Sequence, residues 1–166
     1  LGSAMVHLHI GNGLHNLLYS GDIKFAKTQL LSPASTQFPR LETMMIESTY
    51  GARDAVLASP REQDKLLADI ITDTVKRGGK ILMPTLGSGR GQEIIILVER
   101  LIREGMIDEI PVYIDGMVWD ITAIYTAYPE FLNNTVRQQI CNKERQKIIE
   151  EEGACVVLAT SGMLMG

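Results

Sequence analysis

The stretch of sequence that decides the fold is residues 80–115, KILMPTLGSGRGQEIIILVERLIREGMIDEIPVYID. An apolar run (Lys80–Met83) is followed by a glycine-rich loop (Pro84–Gly91), a helical pattern (Gln92–Glu104) and a second apolar run (Pro111–Asp115). Parallel strands need a long connection, and such connections are right-handed, so strand, helix and strand in this order predict a right-handed parallel crossover. The sequence therefore predicts an α/β fold.

A long amphipathic helix precedes this unit. Ser59, Pro60 and Glu62 have the spacing of a capping box with proline at the first helical position, and Lys76-Arg77 before two glycines is typical of a helix end. Apolar residues that recur on one helical face predict its buried side: Leu66, Leu67, Ile70, Ile71 and Val75.

Further elements are predicted after the second strand. The patterns at Asp115–Ala127, Pro129–Gln139 and Lys143–Glu152 predict three helices, and Ala154–Thr160 predicts a buried strand. Ser161-Gly162-Met163 leaves the C-terminal end of that strand, where open parallel sheets bind their ligands.

The N-terminal residues predict a separate group of strands. Met5–Ile10 and Leu14–Tyr19 flank Gly11-Asn12-Gly13, which predicts a hairpin because Asn and Gly tolerate positive φ. Another largely apolar run spans Leu41–Glu47. We therefore expect two strands to end in loops that carry an acid. Asp22 follows the strand over Leu14–Tyr19, and Glu47 lies at the end of the run over Leu41–Glu47.

Composition bounds the classes of function. The 166 residues are 45% apolar and 22% charged, which excludes a disordered chain, and a net charge of −4 provides no diffuse basic surface for nucleic acid. Any phosphate site must be local. Two cysteines without C-x-x-C spacing and apolar runs of about six residues indicate a cytoplasmic protein with no membrane contact. Because the chain does not begin with Met, and Gly166 closely follows a Ser-Gly-Met turn, we expect both ends to have been cut from a longer protein.

Each candidate side chain has an alternative explanation. His7 and His9 share one strand face, but two ligands do not make a metal site, so surface or hydrogen-bonded histidines are favoured. Asp22 and Glu47 are either metal ligands or acceptors for the N–H groups of their own turns.

The glycine-rich loop also has two explanations. It lies before a helix, whose free N–H groups and dipole favour an anion, and Arg90 adds a forked donor for phosphate. The alternative is a tight turn in which Arg90 caps a neighbouring element. Ser88 and Ser161 bind either phosphate or their own turns. The loop lacks the third glycine of a dinucleotide fingerprint and the Gly-Lys-Ser/Thr of a Walker A motif, so ordinary nucleotide binding is disfavoured.

Six short motifs taken together give a more specific indication. They are LGSA at 1–4, YSGD at 19–22, ESTYG at 47–51, GRGQE at 89–93, YIDGM at 113–117 and ATSGM at 159–163. In order and spacing they resemble the β-CASP branch of the metallo-β-lactamase superfamily, in particular archaeal homologues of the cleavage and polyadenylation specificity factor nuclease. The resemblance covers nearly the whole chain. It implies that residues 1–50 are the C-terminal part of a metallo-β-lactamase αββα segment, and that residues 51–166 are a β-CASP domain, incomplete at its C-terminus, with a mainly parallel sheet flanked by helices.

The resemblance also implies roles for individual residues. Asp22 would be a catalytic aspartate shared by two zinc ions, and Glu47 a catalytic acid beside the metal centre that orients a histidine or a water. In the enzymes that the chain resembles, the metals activate a bridging water that attacks the RNA phosphodiester. Ser88, Arg90 and Ser161 would hold RNA phosphate, and the 89–93 motif would line the cleft.

Parts of the family pattern are missing from this chain. The motif His-x-His-x-Asp-His and a histidine expected two residues before Leu1 are absent, two later histidine motifs are expected after Gly166, and the stretch around Ile140-Cys141 is shorter than in the family. We therefore expect the chain alone to be inactive and the complete protein to be a zinc-dependent ribonuclease of RNA 3′-end processing or decay.

Two other functions remain as alternatives. The first is a non-catalytic RNA-processing assembly module of the same fold, against which the presence of Asp22 and Glu47 argues. The second is a nucleotide-binding α/β domain, which depends on the glycine loop alone. RNA is the expected partner, and any homo-oligomer is expected to form through regions outside this chain.

Overall fold

The first residues of the chain form a three-stranded mixed sheet in the computed structural model, which describes residues 4–52, 58–136 and 153–163. Strand β1 (Val6–Ile10) pairs antiparallel with β2 (His15–Tyr19), and β2 pairs in parallel with β3 (Thr43–Met45). The predicted hairpin is confirmed: Gly11, Asn12 and Gly13 have φ of 60°, 56° and 86°. Three consecutive residues with positive φ are tolerated here because two of them are glycine and the third is asparagine.

A second sheet is entirely parallel. It contains β4 (Ile81–Thr85), β5 (Val112–Asp115) and β6 (Val156–Thr160) in the order β4-β6-β5. The strand that is last in sequence is therefore central in space, which explains why β6 is the most buried strand, with Val156 and Leu158 both fully covered. The parallel sheet, packed by helices, confirms the predicted α/β class.

Three helices accompany this sheet: α1 (Pro60–Lys76), α2 (Arg90–Arg103) and α3 (Met117–Ala127). The capping box of α1 is confirmed, since the Glu62 N–H donates to Ser59 Oγ at 3.3 Å while the Ser59 N–H donates to Glu62 Oε2 at 2.8 Å. Helix α3 begins two residues later than predicted, because Asp115 is the last residue of β5 and Gly116 turns the chain with a φ of 64°. No helix within the described ranges is both long enough and apolar enough to cross a bilayer.

The predicted buried face of α1 is partly wrong. Ala68 and Ile71 are buried, whereas Leu66 and Ile70 are 62% and 49% exposed. Each of these two exposed residues is two positions from Ala68, and two positions turn a helix by about 200°, which places them on the opposite side. Helix α1 is covered along a narrow stripe, where Ala68 and Ile71 pack against α2.

The boundaries of β4 and α2 also differ from the prediction. The strand continues through Pro84 and Thr85, and the helix begins at Arg90 rather than Gln92. Pro84 is tolerated because β4 is an edge strand of the sheet and, among the described residues, pairs with β6 alone, so a missing N–H on its other side breaks no ladder bond there. The glycine-rich loop therefore runs from Leu86 to Gly89.

The helix predicted over Pro129–Gln139 is interrupted. Pro129–Phe131 form a 3₁₀ turn, Leu132 is extended, and residues 134–136 begin a new helical turn. Asn133 causes the restart, because its Oδ1 accepts the N–H groups of Thr135 and Val136 at 3.1 and 3.2 Å. The remainder of this prediction, and the helix predicted over Lys143–Glu152, lie outside the described residues.

Two apolar clusters hold the elements together. The first joins α1 and α2 to the face of β4 that carries Ile81 and Met83. The second joins the loop after β2 to α3 and the turn that follows it, through Leu30, Tyr125, Leu132 and Val136. The loop after β2 is therefore linked to α2, α3 and the turn that follows α3 through a buried apolar cluster. The boundary predicted between residues 50 and 51 stays a prediction.

Candidate functional site

The two predicted catalytic carboxylates lie on neighbouring strands. Asp22 follows β2 and Glu47 follows β3. Because β2 and β3 are parallel, both loops begin at the carboxyl ends of the strands, on the same side of the sheet. Buried Ser20 joins them: its N–H donates to Met45 O at 3.0 Å, and its Oγ accepts the Glu47 N–H at 3.4 Å. The sequence placed each acid at a strand end, and the structure places those two ends side by side.

The Glu47 carboxylate is bound by both loops. Its Oε2 accepts the Thr49 N–H at 2.7 Å. The hydrogen bonds from Thr49 are the main cause of a pKa below the usual range for glutamate, and a bond from the backbone N–H of Ile23 adds to it. Glu47 therefore bonds its own turn, as the structural alternative predicted, and also contacts the residue next to Asp22. Asp22 itself is exposed to solvent.

The ligands for a complete zinc centre are not all present. The described residues contain no group of three or more His, Cys, Asp or Glu placed to hold a metal ion. Because zinc sites in proteins use three or four protein ligands, Asp22 and Glu47 do not make one by themselves. The part of the chain that the structure describes does not fit a complete metal site.

His9 of the hairpin belongs to a hydrogen-bonded network, and the ring of His7 packs beside it. The His7 and His9 rings lie 4.4 Å apart, and His9 Nδ1 lies 2.5 Å from Asn16 Oδ1, so this nitrogen carries the proton. Asn16 is buried, and its Nδ2 donates to Glu42 Oε2 at 2.8 Å, a bond that lowers the pKa of Glu42. This arrangement supports the structural interpretation of His9.

Two carbonyl groups of the glycine-rich loop accept the first N–H groups of α2. The Arg90 N–H donates to Ser88 O at 3.0 Å and the Gly91 N–H donates to Leu86 O at 3.2 Å. The expectation that these helix N-terminal N–H groups are free for an anion is therefore wrong for both residues. The exposed side chains offered to a ligand here are the Ser88 hydroxyl on the loop and the Arg90 guanidinium at the start of α2.

Arg90 is partly engaged and mostly exposed. Its Nη1 donates to Glu93 Oε2 at 3.0 Å, and its side chain is 61% exposed. An exposed ion pair of this kind contributes about 0–1 kcal/mol, so a phosphate can compete for the guanidinium at little cost. Ser88 is also exposed, with its Oγ 3.5 Å from the hydroxyl of buried Tyr125.

Ser161 lies at the same edge of the parallel sheet as the glycine-rich loop. Thr85 and Thr160, the last residues of β4 and β6, are in register, so the loop with Ser88 and Arg90 and the 3₁₀ turn that Ser161 begins (Ser161–Met163) leave adjacent strand ends. The structure thus gives two groups of candidate residues, the carboxylates on the first sheet and the phosphate-binding candidates on the second. The described hydrogen bonds between the two parts of the chain run through residues 27–30 and 133–135.

Gln92 was predicted, as part of the 89–93 motif, to line the cleft. It is instead 3% exposed, and its side chain turns back to the loop and to α3. A glutamine on a helix whose other inward residues are apolar is a signal for such a buried polar contact, because buried amides need partners.

Comparison with known proteins agrees with the architecture. A family model described as Beta-Casp domain matches residues 91–166, and curated relatives match the whole chain at up to 49% identity. Residues 91–166 are therefore similar to a β-CASP domain.

Three curated relatives that match the chain carry one name, transcription termination factor FttA. The chain is 49% identical to transcription termination factor FttA of Methanocaldococcus jannaschii, 46% to that of Pyrococcus horikoshii and 47% to that of Pyrococcus abyssi. Each match covers 100% of this chain and 28–29% of the relative, so the chain spans less than a third of these proteins. The matches extend over 183 positions against 166 residues here, so the relatives carry internal residues that this chain lacks.

Proposed function

We propose that this chain is part of a metal-dependent ribonuclease that hydrolyses phosphodiester bonds in RNA. The observation that carries the proposal is that Asp22 and Glu47 follow the adjacent ends of two parallel strands, in a chain whose residues 91–166 match a β-CASP domain model. The relatives are named transcription termination factors, which supports nascent RNA as the substrate class.

In this proposal the two groups of residues have different tasks. Asp22, which is exposed, would supply one carboxylate ligand to a zinc centre, whose other ligands are not among the described residues. Glu47 is held by Thr49 and Ile23 and orients a neighbouring group. Ser88, Arg90 and Ser161 donate hydrogen bonds to RNA phosphates.

The carboxylate assignment is tested by Asp22→Asn in the complete protein. This change removes a charge with little change in volume, so cleavage of RNA should fall to background while the melting temperature stays within about 1 °C. Asp69→Asn, on the exposed side of α1, is the matched control and should retain activity. Near-normal cleavage together with normal zinc content in Asp22→Asn would end the assignment.

The phosphate assignment is tested by Arg90→Ala in the complete protein. Loss of one phosphate contact should weaken binding to RNAs of different sequence alike and reduce the slope of log affinity against log salt by about one unit. Arg61→Ala, an exposed arginine at the start of α1, is the control. If Arg90→Ala lowers only the melting temperature, the arginine is a structural cap and RNA is held elsewhere.

The alternative is a non-catalytic RNA-processing module of the same fold. It is favoured by the incomplete ligand set among the described residues and by the use of Glu47 as an acceptor for its own turn. This alternative predicts that Asp22→Asn and Glu47→Gln leave RNA binding intact and that the complete protein releases no cleaved product. Cleavage by the complete protein that depends on Asp22 would exclude it.

A further inference from the structure

Gln92 joins three separate pieces of backbone. It is the third residue of α2, and its Nε2 lies 3.0 Å from Gly87 O in the glycine-rich loop. The same amide lies 3.0 Å from Thr122 Oγ1 and 3.3 Å from Val118 O, both on α3. One side chain therefore ties the start of the loop to a helix that is about 30 residues away in sequence.

The pieces that Gln92 joins are in close contact. A Cβ on Gly91 would lie 2.8 Å from Val118 Cγ1, and a Cβ on Gly87 would lie 3.2 Å from Met117 Cβ. The loop, α2 and α3 therefore meet with no room for side chains at either glycine. Gln92 and Thr122 supply polar side chains at this otherwise apolar junction.

Burial of the Gln92 side chain is unfavourable for one of its two polar atoms. Gln92 Oε1 is buried and has no hydrogen-bond partner among the described residues. An unpaired buried carbonyl oxygen is unfavourable, so a side chain chosen for packing alone would be apolar. The benefit of glutamine at this position must be the geometry that its Nε2 imposes, since a polar contact fixes orientation where an apolar contact does not.

The contacts of Gln92 also affect the positions of Ser88 and Arg90, which are proposed to bind RNA phosphate. Gly87 directly precedes Ser88, and Ser88 O accepts the Arg90 N–H at 3.0 Å. A shift of Gly87 would therefore move both Ser88 and Arg90. We propose that Gln92 is a positioning residue: its amide fixes Gly87 to α3 and thereby sets where Ser88 and Arg90 meet an RNA phosphate. The second half of this inference rests on the proposed function of the loop.

The first half is tested by hydrogen exchange in the 166-residue chain without RNA. Gln92→Met keeps the length and volume of the side chain and removes its donor. The Arg90 and Gly91 amides, both bonded within the loop, should exchange at least about tenfold faster relative to amides in the middle of α1. Gln63→Met, an exposed glutamine whose Nε2 donates to Ala58 O, is the matched control and should change neither. Unchanged exchange at Arg90 and Gly91 would overturn the inference.

A second variant covers the case in which Gln92→Met does not fold. Thr122→Val is nearly isosteric and removes one of the three acceptors, and it should raise exchange at the same two amides by a smaller factor. If the loop amides in Thr122→Val exchange as in the unmodified chain, the bond from Gln92 to Thr122 does not hold the loop, and this part of the inference is wrong.

The second half is tested by a double-mutant cycle on RNA affinity in the complete protein. If Gln92 acts through the loop, Gln92→Met should weaken binding severalfold, and its effect should largely vanish in an Arg90→Ala background. Fully multiplicative effects would show that Gln92 does not act through Arg90. If Arg90→Ala alone changes nothing, the proposed function of the loop fails and the second half fails with it, while hydrogen exchange still decides whether Gln92 fixes the loop.

Discussion

The close approach of α2 to α3 makes a sharp prediction for Gly91→Ala. Glycine is normally the poorer residue within a helix, and replacing it with alanine stabilises a helix by up to about 1 kcal/mol. At Gly91, however, the new Cβ would lie 2.8 Å from Val118 Cγ1 and 3.2 Å from both Val118 Cγ2 and Leu86 O. Val118 is fully buried, so its side chain cannot move out into solvent to relieve the contact.

The magnitude follows from these two opposing effects. Overpacking of a buried contact costs about 1–3 kcal/mol. Gly91 lies in the first turn of α2, where the propensity gain is smaller than in a helix interior, so the clash dominates. We expect a net loss of about 1–2 kcal/mol, which corresponds to about 2–4 °C in melting temperature per kcal/mol for a chain of this size.

Thermal unfolding followed by circular dichroism measures this loss, with Gly153→Ala as control because no heavy atom of the described residues beyond its chain neighbours lies within 4 Å of a Cβ built there. Val118→Ala removes two of the three close atoms, including the closest, so Gly91→Ala should cost at least about 1 kcal/mol less in that background than in the unmodified chain. A higher melting temperature for Gly91→Ala, or strictly additive losses in the double variant, would refute this account of the junction.

Three further predictions concern other parts of the molecule. Asn133→Ala removes a helix cap and the bond from Nδ2 to Gln29 O, so it should cost about 0.5–2 kcal/mol in thermal unfolding, whereas exposed Asn134→Ala should cost far less. The pKa of Glu42 is lowered in the folded chain, chiefly by Asn16, so its contribution to stability is present above the usual value of 4.5 and is lost as pH falls below it. Unfolding of Glu42→Gln should therefore depend less on pH below about 5 than that of the unmodified chain. The chain alone should retain less than stoichiometric zinc after dialysis, because its described residues hold no group of three ligands; metal analysis that found a full equivalent would point to His7 and His9.

Sequence rules with short range predicted the local features well. The hairpin turn at Gly11-Asn12-Gly13 and the capping box of α1 depend on backbone angles and hydrogen bonds within three or four residues, so the residues that decide them are adjacent in sequence. The same holds for the positions of Asp22 and Glu47 just after strands. The α/β class also followed from the order of the elements, since a helix between two apolar runs favours a parallel crossover.

Features that depend on neighbours distant in sequence were decided by the tertiary structure. The placement of β6 between β4 and β5, and with it the tolerance of Pro84 at an edge, depends on strand pairing across 75 residues. The exposure of Leu66 and Ile70 depends on how narrow a stripe α2 covers, which an amphipathic pattern does not state.

The same distinction applies to the candidate site. The sequence predicted the acids and the glycine-rich loop. The placement of Asp22 and Glu47 in adjacent loops, however, required β2 and β3 to be neighbouring strands. The burial of Gln92 required α3 to approach within contact of two glycines. Local propensity depends on residues that are close together in sequence. Burial and strand pairing arise only when segments that are far apart in sequence come into contact. In this protein such long-range contacts determine the arrangement of the candidate site.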